Sequence, residues 1–205
     1  LLAPVEFLPH LHGSHLESTF GEWVIQTAMS QAAHWHRLGL PLIVSVNVSA
    51  NHLLQPGFLA HLQAALACHP DFKPDYFELE VLESAAIADM DQAIGILLDC
   101  RKLGIHFALD DFGTGYSSLT YLRKLPIDTL KIDQSFVRDM LTDSDDLGIV
   151  EGVIQLANVF NRQVIAEGVE TMEHGKRLRL LGCHLAQGYG IARPMPAQDV
   201  AHWCQ

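Results

Sequence analysis

Short apolar runs alternate with amphipathic helical stretches along this chain, and no two runs are joined by a hairpin signal. That alternation constrains the fold more than any other feature. Residues 42–49, 76–83, 105–111, 129–133, 163–170 and 183–189 read as strands, and the first is apolar enough to be covered on both faces. Between them, helices are expected at 57–69, 89–103, after Ser117, at 144–160 and at 172–181, with a last one from Ala197 toward Trp203. Ahead of the first strand, Thr19 and Glu22 have capping-box spacing, and Phe20, Trp23, Val24, Thr27 and Ala28 form a helical stripe that Leu38-Gly39 ends. Residues 4–15 show no period and read as a loop or short turn. Strands alternating with helices imply parallel pairing and right-handed crossovers.

Two closures satisfy that pattern, an open doubly wound sheet and a barrel, and the polar residues choose between them. The strands finish in turn on Asn47, on Glu80 with Glu83, on Asp110 with Asp111, on Lys131 with Asp133, on Glu167 with Glu170, and on Gln187. An open sheet concentrates its ligand at one switch point. A (β/α)8 barrel gathers every strand end around one mouth, so six contributing strands favour the TIM-like barrel. Six is two short of eight, and 205 residues is below the roughly 250 of a typical barrel. The first two strands are therefore expected upstream of Leu1, and the chain opens with Leu1-Leu2-Ala3-Pro4 rather than Met, as a piece of a longer polypeptide does.

Composition excludes several functions. The net charge of -11 argues against binding a DNA or RNA duplex, which needs Lys and Arg over phosphates. Bound metals could still bring an anionic substrate to such a chain. No apolar run approaches the roughly 18 residues of a membrane span, and no signal segment opens the chain. Cys68, Cys100, Cys183 and Cys204 are scattered without a CxxC pair, which fits free thiols in the cytoplasm better than a disulfide framework.

Within the strand-end series, Asp110-Asp111 carries most of the chemistry. Adjacent carboxylates at a buried strand end repel, and divalent cations relieve that best. The plain alternative is an Asx turn ahead of Gly113. Gly113-Thr114-Gly115-Tyr116-Ser117 lacks the third glycine of a dinucleotide turn and suits a loop over a mouth. Strand alternation puts Glu78 and Glu80 on one face, with Glu80 the better ligand and Glu83 placed to hold a loop; a solvated charge run is the alternative. Asn47 reads either as a ligand or as a strand-end residue bonding nearby backbone. Lys131 sits in apolar surroundings, where an amine needs carboxylate partners and can then orient or polarise a water. Glu167 precedes a glycine that lets backbone approach, and Gln187 offers an amide beside Tyr189. The groups His10, His12, His15 and His34, His36 read as surface histidines rather than a zinc site.

Taken together, SVNVSANHL, FELEVLES, ALDDFGTGYSSLTYLRKLPIDTLKID, VIAEGVET and AQGYGIARPMP resemble the EAL-type cyclic-di-GMP phosphodiesterases, and the opening PVEFLP extends the match. The resemblance implies one EAL-type domain over 1–205, truncated at its N-terminus. It implies hydrolysis of cyclic-di-GMP to linear pGpG with two cations, Mg²⁺ or Mn²⁺, at the site. Asn47, Glu80 and Asp110 match first-metal ligands; Asp110, Asp111 and Glu167 match those of the second. Lys131 matches the water-orienting lysine, Gln187 a polar site residue, Glu83 the glutamate that steadies the DDFGTGYSS loop, and Asp133 an acidic residue near the metals. Glu170 is placed with this supporting group. A homodimer, coupled to the loop after the aspartates, and an upstream GGDEF or sensor domain are further implied partners.

Two departures qualify the expectation. The namesake Glu-Ala-Leu, with its phosphate-gripping arginine, is absent, so activity requires that upstream sequence supply it. Where the family commonly reads PLAE, this chain reads Pro9-His10-Leu11-His12. The rival expectations are a cyclic-di-GMP receptor that binds without cutting and a purely structural interaction domain.

Overall fold

The computed structural model describes residues 4–82, 90–115 and 119–204. The chain divides into two compact units, Leu1–Glu80 with Ala88–His106 and Val81–Ile87 with Phe107–Gln205.

The first unit holds α1 (Pro4–Leu11), α2 (Leu16–Arg37), β1 (Val44–Val48), α3 (Ala50–Leu53), α4 (Phe58–Ala67), a 3-10 turn (Pro74–Tyr76), most of β2 (Phe77–Leu82) and α5 (Met90–Lys102). Its core is built where α2 buries Ile25, Met29, Ala32 and Ala33, a helical i, i+4, i+7, i+8 face. Val46 and Val48 of β1, Leu62 of α4, Phe77 and Leu79 of β2 and Leu97 of α5 complete it. The stripe expected from Phe20, Trp23 and Thr27 is rotated from this face, and Trp23 is 60% exposed. Two of the buried positions are alanines, which weigh little in a hydrophobic pattern.

Helix α1 replaces the loop expected over 4–15. It buries none of its residues, so it leaves no period to read. Phe7 instead packs edge-on against Phe20, with ring centroids 5.6 Å apart. The expected box at Thr19 and Glu22 is also corrected, because α2 begins three residues before Thr19. The N-cap is His15, whose side chain makes no cap bond; the entering turn is instead held by the Leu16 amide donating to Ser14 Oγ at 3.2 Å and the Gly13 amide donating to Glu17 Oε2 at 2.7 Å. In α5 the buried residues are Ala93, Leu97 and Cys100, while Leu98 is 46% exposed.

The second unit holds β3 (His106–Phe112, His106 excepted), α6 (Leu119–Lys124), β4 (Thr129–Ile132), α7 (Gln134–Asp139), α8 (Ser144–Val159), β5 (Gln163–Ala166), α9 (Met172–Leu181), β6 (Leu185–Ala186) and α10 (Ala197–Trp203). Strands β3, β4, β5 and β6 are neighbours in chain order and pair in parallel, as the strand–helix alternation requires. Phe107, Leu109, Leu130 and Ile132 from the strands and Val150, Ile154 and Ala157 from α8 fill its core. Helix α7 is not foreseen by the sequence reading. It starts because Asp133, read as a strand-end acid, caps it by accepting the Ser135 amide at 3.0 Å. Strands β5 and β6 are shorter than the expected 163–170 and 183–189, and just beyond β5 the backbone turns to φ +67° at Gly168. The fold is the TIM-like (β/α) barrel type, with six strand–helix units among the described residues. No helix among the described residues is long and apolar enough to cross a membrane.

Candidate active site

The site begins as an irregularity in β3. Leu109 pairs with Leu130 of β4, but Phe112 pairs with Ile132, so three steps on β3 oppose two on β4. The extra residue falls at Asp110-Asp111, and Asp111 takes φ +54°. In a regular strand, consecutive side chains point to opposite faces. A bulge with one residue in the left-handed region breaks that rule and re-aims a side chain. The carboxylates of Asp110 and Asp111 thereby reach the same cluster, and the Asp111 amide donates to Asp110 Oδ1 at 3.1 Å. Thr114 holds the bulge from beyond by donating its hydroxyl to the Asp111 carbonyl at 2.9 Å.

Lys131 stands on the neighbouring strand with its side chain only 3% exposed. Its Nζ lies 3.0 Å from Asp110 Oδ1 and 2.7 Å from Glu167 Oε1. A buried ammonium is tolerated at such a depth only with charge partners of this kind. Glu167 follows β5 directly and is fixed to β4 by its amide, which donates to the Ile132 carbonyl at 3.1 Å.

One oxygen each from Asp110, Asp111 and Glu167 all lie within 4.8 Å of one another. Asp133 adds a fourth acid, hydrogen-bonded to Asp111. Burial first, then the charges of Asp110, Asp133 and Glu167, push the Asp111 carboxyl up to about 6. One ammonium does not balance this many carboxylates, so the cluster attracts further positive charge. Its donors are hard oxygens with no thiolate or imidazole among them, which suits Mg²⁺, Mn²⁺ or Ca²⁺ better than zinc.

Close backbone packing supports the Glu167 arm. The Val169 amide donates to the Gln187 carbonyl at 3.0 Å, and the Gln187 amide to the Ala166 carbonyl at 2.8 Å. A Cβ at Gly188 would sit 2.3 Å from the Val169 backbone, and one at Gly168 would sit 2.6 Å from Gln134 Cβ. Gln187 is thus placed by its backbone, and its side chain is exposed. Glu170 is exposed too, near enough to Arg138 to act on its charge.

Five of the expected site residues therefore come together: Asp110, Asp111, Lys131, Asp133 and Glu167. In the first unit, Glu80 is buried on β2 and Asn47 is exposed on β1. Glu83 lies outside the described residues. Of the histidines, His10, His12, His15 and His34 are exposed, while His36 is half-buried with its ring 5.2 Å from that of Tyr76. Ser135, which the sequence reading passed over, donates both its amide and its hydroxyl to Asp133 Oδ1. Its signal was the Asp-x-Ser spacing of a helix N-cap.

A parallel α/β sheet whose strand ends carry an oxygen-donor cluster around a buried lysine belongs to the class of (β/α) barrel proteins that keep their sites at the strand ends. The chain matches the EAL domain family over residues 1–194 and belongs to it. It is similar to cyclic di-GMP phosphodiesterase PA2567 of Pseudomonas aeruginosa, 40% identical over 202 residues, covering 98% of this chain and 34% of that protein. Cyclic di-GMP phosphodiesterase PdeR of Escherichia coli is 36% identical over 203 residues, covering 99% of this chain and 31% of that protein. The chain spans about a third of the length of these curated relatives. Among solved structures, the P. aeruginosa MucR phosphodiesterase in complex with c-di-GMP superposes with a TM-score of 0.93 at 38% identity, covering 97% of this chain and 81% of that one.

Proposed function

We propose that this chain carries the active site of a metal-dependent phosphodiesterase that hydrolyses cyclic di-GMP to linear pGpG in bacterial second-messenger signalling. The observation that carries this reading is the convergence of Asp110, Asp111 and Glu167 within 4.8 Å beside a buried lysine. The names of the relatives supply the substrate, and the motifs quoted above supply the reaction.

Asp110, Asp111 and Glu167 are the residues that would hold Mg²⁺ or Mn²⁺, and Asn47 and Glu80 are proposed as further ligands of the first of two ions. Bound there, such cations acidify water and neutralise charge developing on the phosphoryl oxygens. Lys131, whose Nζ is pinned between Asp110 and Glu167, orients the attacking water. The water oxygen bonds to phosphorus in line with the departing 3′ oxygen, whose bond to phosphorus breaks. A cluster carboxylate takes the water's proton and passes one to the 3′ oxygen, which leaves as a hydroxyl. Asp133 steadies Asp111, while Gln187, Glu170 and Glu83 are proposed to support the substrate or the loop. A homodimer, an upstream GGDEF or sensor domain and a cytoplasmic setting belong to the same proposal, on the resemblance alone.

The full-length protein, incubated with cyclic di-GMP and Mg²⁺, is expected to yield pGpG by chromatography. Asp110→Asn and Glu167→Gln are expected to abolish it. Nucleotide binding without cleavage by the unaltered protein would instead assign it to the receptors.

A further inference from the structure

Helix α7 touches both arms of the acidic cluster. On the β3 side, its cap Asp133 is hydrogen-bonded to Asp111, and the Phe136 ring lies 3.0 Å from where a Cβ on Gly113 would be. On the β5 side, Gln134 fits so closely over Gly168 that an added Cβ would sit 2.6 Å away. A six-residue helix has little cohesion of its own, because its end groups outnumber its internal hydrogen bonds. Something outside it has to fix its C-terminal end.

That contact comes from His174, in the first turn of α9 and only 6% exposed. Its Nε2 lies 3.1 Å from the carbonyl oxygen of Arg138, the penultimate residue of α7. A carbonyl only accepts, so Nε2 carries the hydrogen and the neutral ring presents Nδ1 as an acceptor. The Thr171 hydroxyl, 2.8 Å from Nδ1, donates to it. The same Thr171 oxygen accepts the His174 amide as the N-cap of α9. Thr171 is four residues beyond Glu167, so this circuit joins the Glu167 loop to the far end of the helix that begins at Asp133.

We infer that His174 is a positioning residue for the cation-binding carboxylates: it holds α7 against the 167–171 loop and so fixes Asp111 and Glu167 at the separation one ion needs. The inference rests on the metal-dependent reading above. Residues that orient ligands from outside typically alter metal affinity by about 10–100-fold. Glutamine has a donor for the Arg138 carbonyl and an acceptor for the Thr171 hydroxyl, while leucine has neither.

Mn²⁺ binding to the full-length protein, followed by the electron paramagnetic resonance of the free ion, is the test. His174→Leu is expected to weaken binding by about tenfold, and His174→Gln to stay within about threefold of the unaltered protein. If His174→Leu does not fold, Thr171→Val, which removes the hydroxyl at similar volume, is expected to weaken Mn²⁺ binding in the same direction. Loss of thermal stability with unchanged Mn²⁺ affinity in a folded variant would show a merely structural ring and overturn the inference. An unaltered protein that binds no Mn²⁺ overturns the metal-dependent reading and this inference with it, whereas binding that His174→Leu leaves unchanged overturns the inference alone.

Discussion

Lys131 Nζ lies closer to Glu167 Oε1, at 2.7 Å, than to Asp110 Oδ1, at 3.0 Å, and so ties β4 to carboxylates on both flanks. Two acids share one ammonium, and a third, Asp111, has its oxygen within 4.8 Å of theirs. The lysine holds the cluster together when no other cation does. The same atom is the one placed to orient water in the proposed reaction. Folding and chemistry therefore draw on one side chain, and its removal should register in both.

Lys131→Met tests this. Removing one partner from a buried ion pair strands the other charge and costs about 3 kcal/mol or more. The metal-free variant should melt well below the unaltered protein, and added Mg²⁺ should recover part of the difference by supplying positive charge. Turnover at saturating Mg²⁺ should fall by about 10²-fold or more, the scale of a misplaced reactant. Full turnover by Lys131→Met would remove the lysine from the mechanism.

Asp111 should make metal-free stability depend on pH in a definite direction. Its carboxyl is raised to about 6, by burial first and by Asp110, Asp133 and Glu167 next. The folded chain thus keeps a proton that the unfolded chain has already lost. The resulting stabilisation is complete below the ordinary carboxylate range, near 4, and is lost as pH rises through about 6. Asp111→Asn has no proton to lose there, so its metal-free melting temperature should fall less than the unaltered protein's between those pH values. Thermal melts in EDTA across that range are the measurement, and parallel profiles would rule the effect out. Binding of Mg²⁺ near pH 5.5 should also release protons, seen calorimetrically as heats that depend on the buffer.

Much of this architecture was legible because parallel β/α chains announce themselves locally. Apolar runs such as Val44–Val48 and His106–Phe112 carry their signal in consecutive residues, and Asp110, Lys131 and Glu167 stand out as polar residues at the ends of such runs. The losses are equally local in cause. Helix α1 buries nothing, so no periodicity betrayed it. The buried face of α2 relies on Ala32 and Ala33, and a pattern search weighted toward Phe20 and Trp23 rotates the helix. The bulge at Asp110-Asp111 was out of reach, because register is a relationship between two strands and neither contains it alone. His174 was hidden for the same reason, since its partner carbonyl on Arg138 lies 36 residues away.

The proposed metal dependence predicts a clean selectivity. EDTA should abolish pGpG formation, Mg²⁺ or Mn²⁺ should restore it, and Zn²⁺ should not, because the cluster offers oxygens and no soft donors. Chromatography of the product after metal exchange checks this. Activity that persists through exhaustive chelation would exclude a cation-dependent site.

The close approach at Gly188 predicts a cost that backbone conformation alone cannot explain. Gly182 has φ +94° with nothing within 4 Å of an added Cβ, so Gly182→Ala carries conformational strain of about 1 kcal/mol. At Gly188 an added Cβ would lie 2.3 Å from both the amide nitrogen and the carbonyl oxygen of Val169. Backbone cannot swing aside as a flexible side chain can. The clasp formed by Val169 and Gln187 must open, and Glu167, two residues before Val169, moves with it. Gly188→Ala should therefore lose about 2 kcal/mol more than Gly182→Ala in chemical denaturation. It should also weaken Mn²⁺ binding, which Gly182→Ala should leave intact. Equal losses in the two variants would mean that the strand ends part freely and that the clasp does not hold the site.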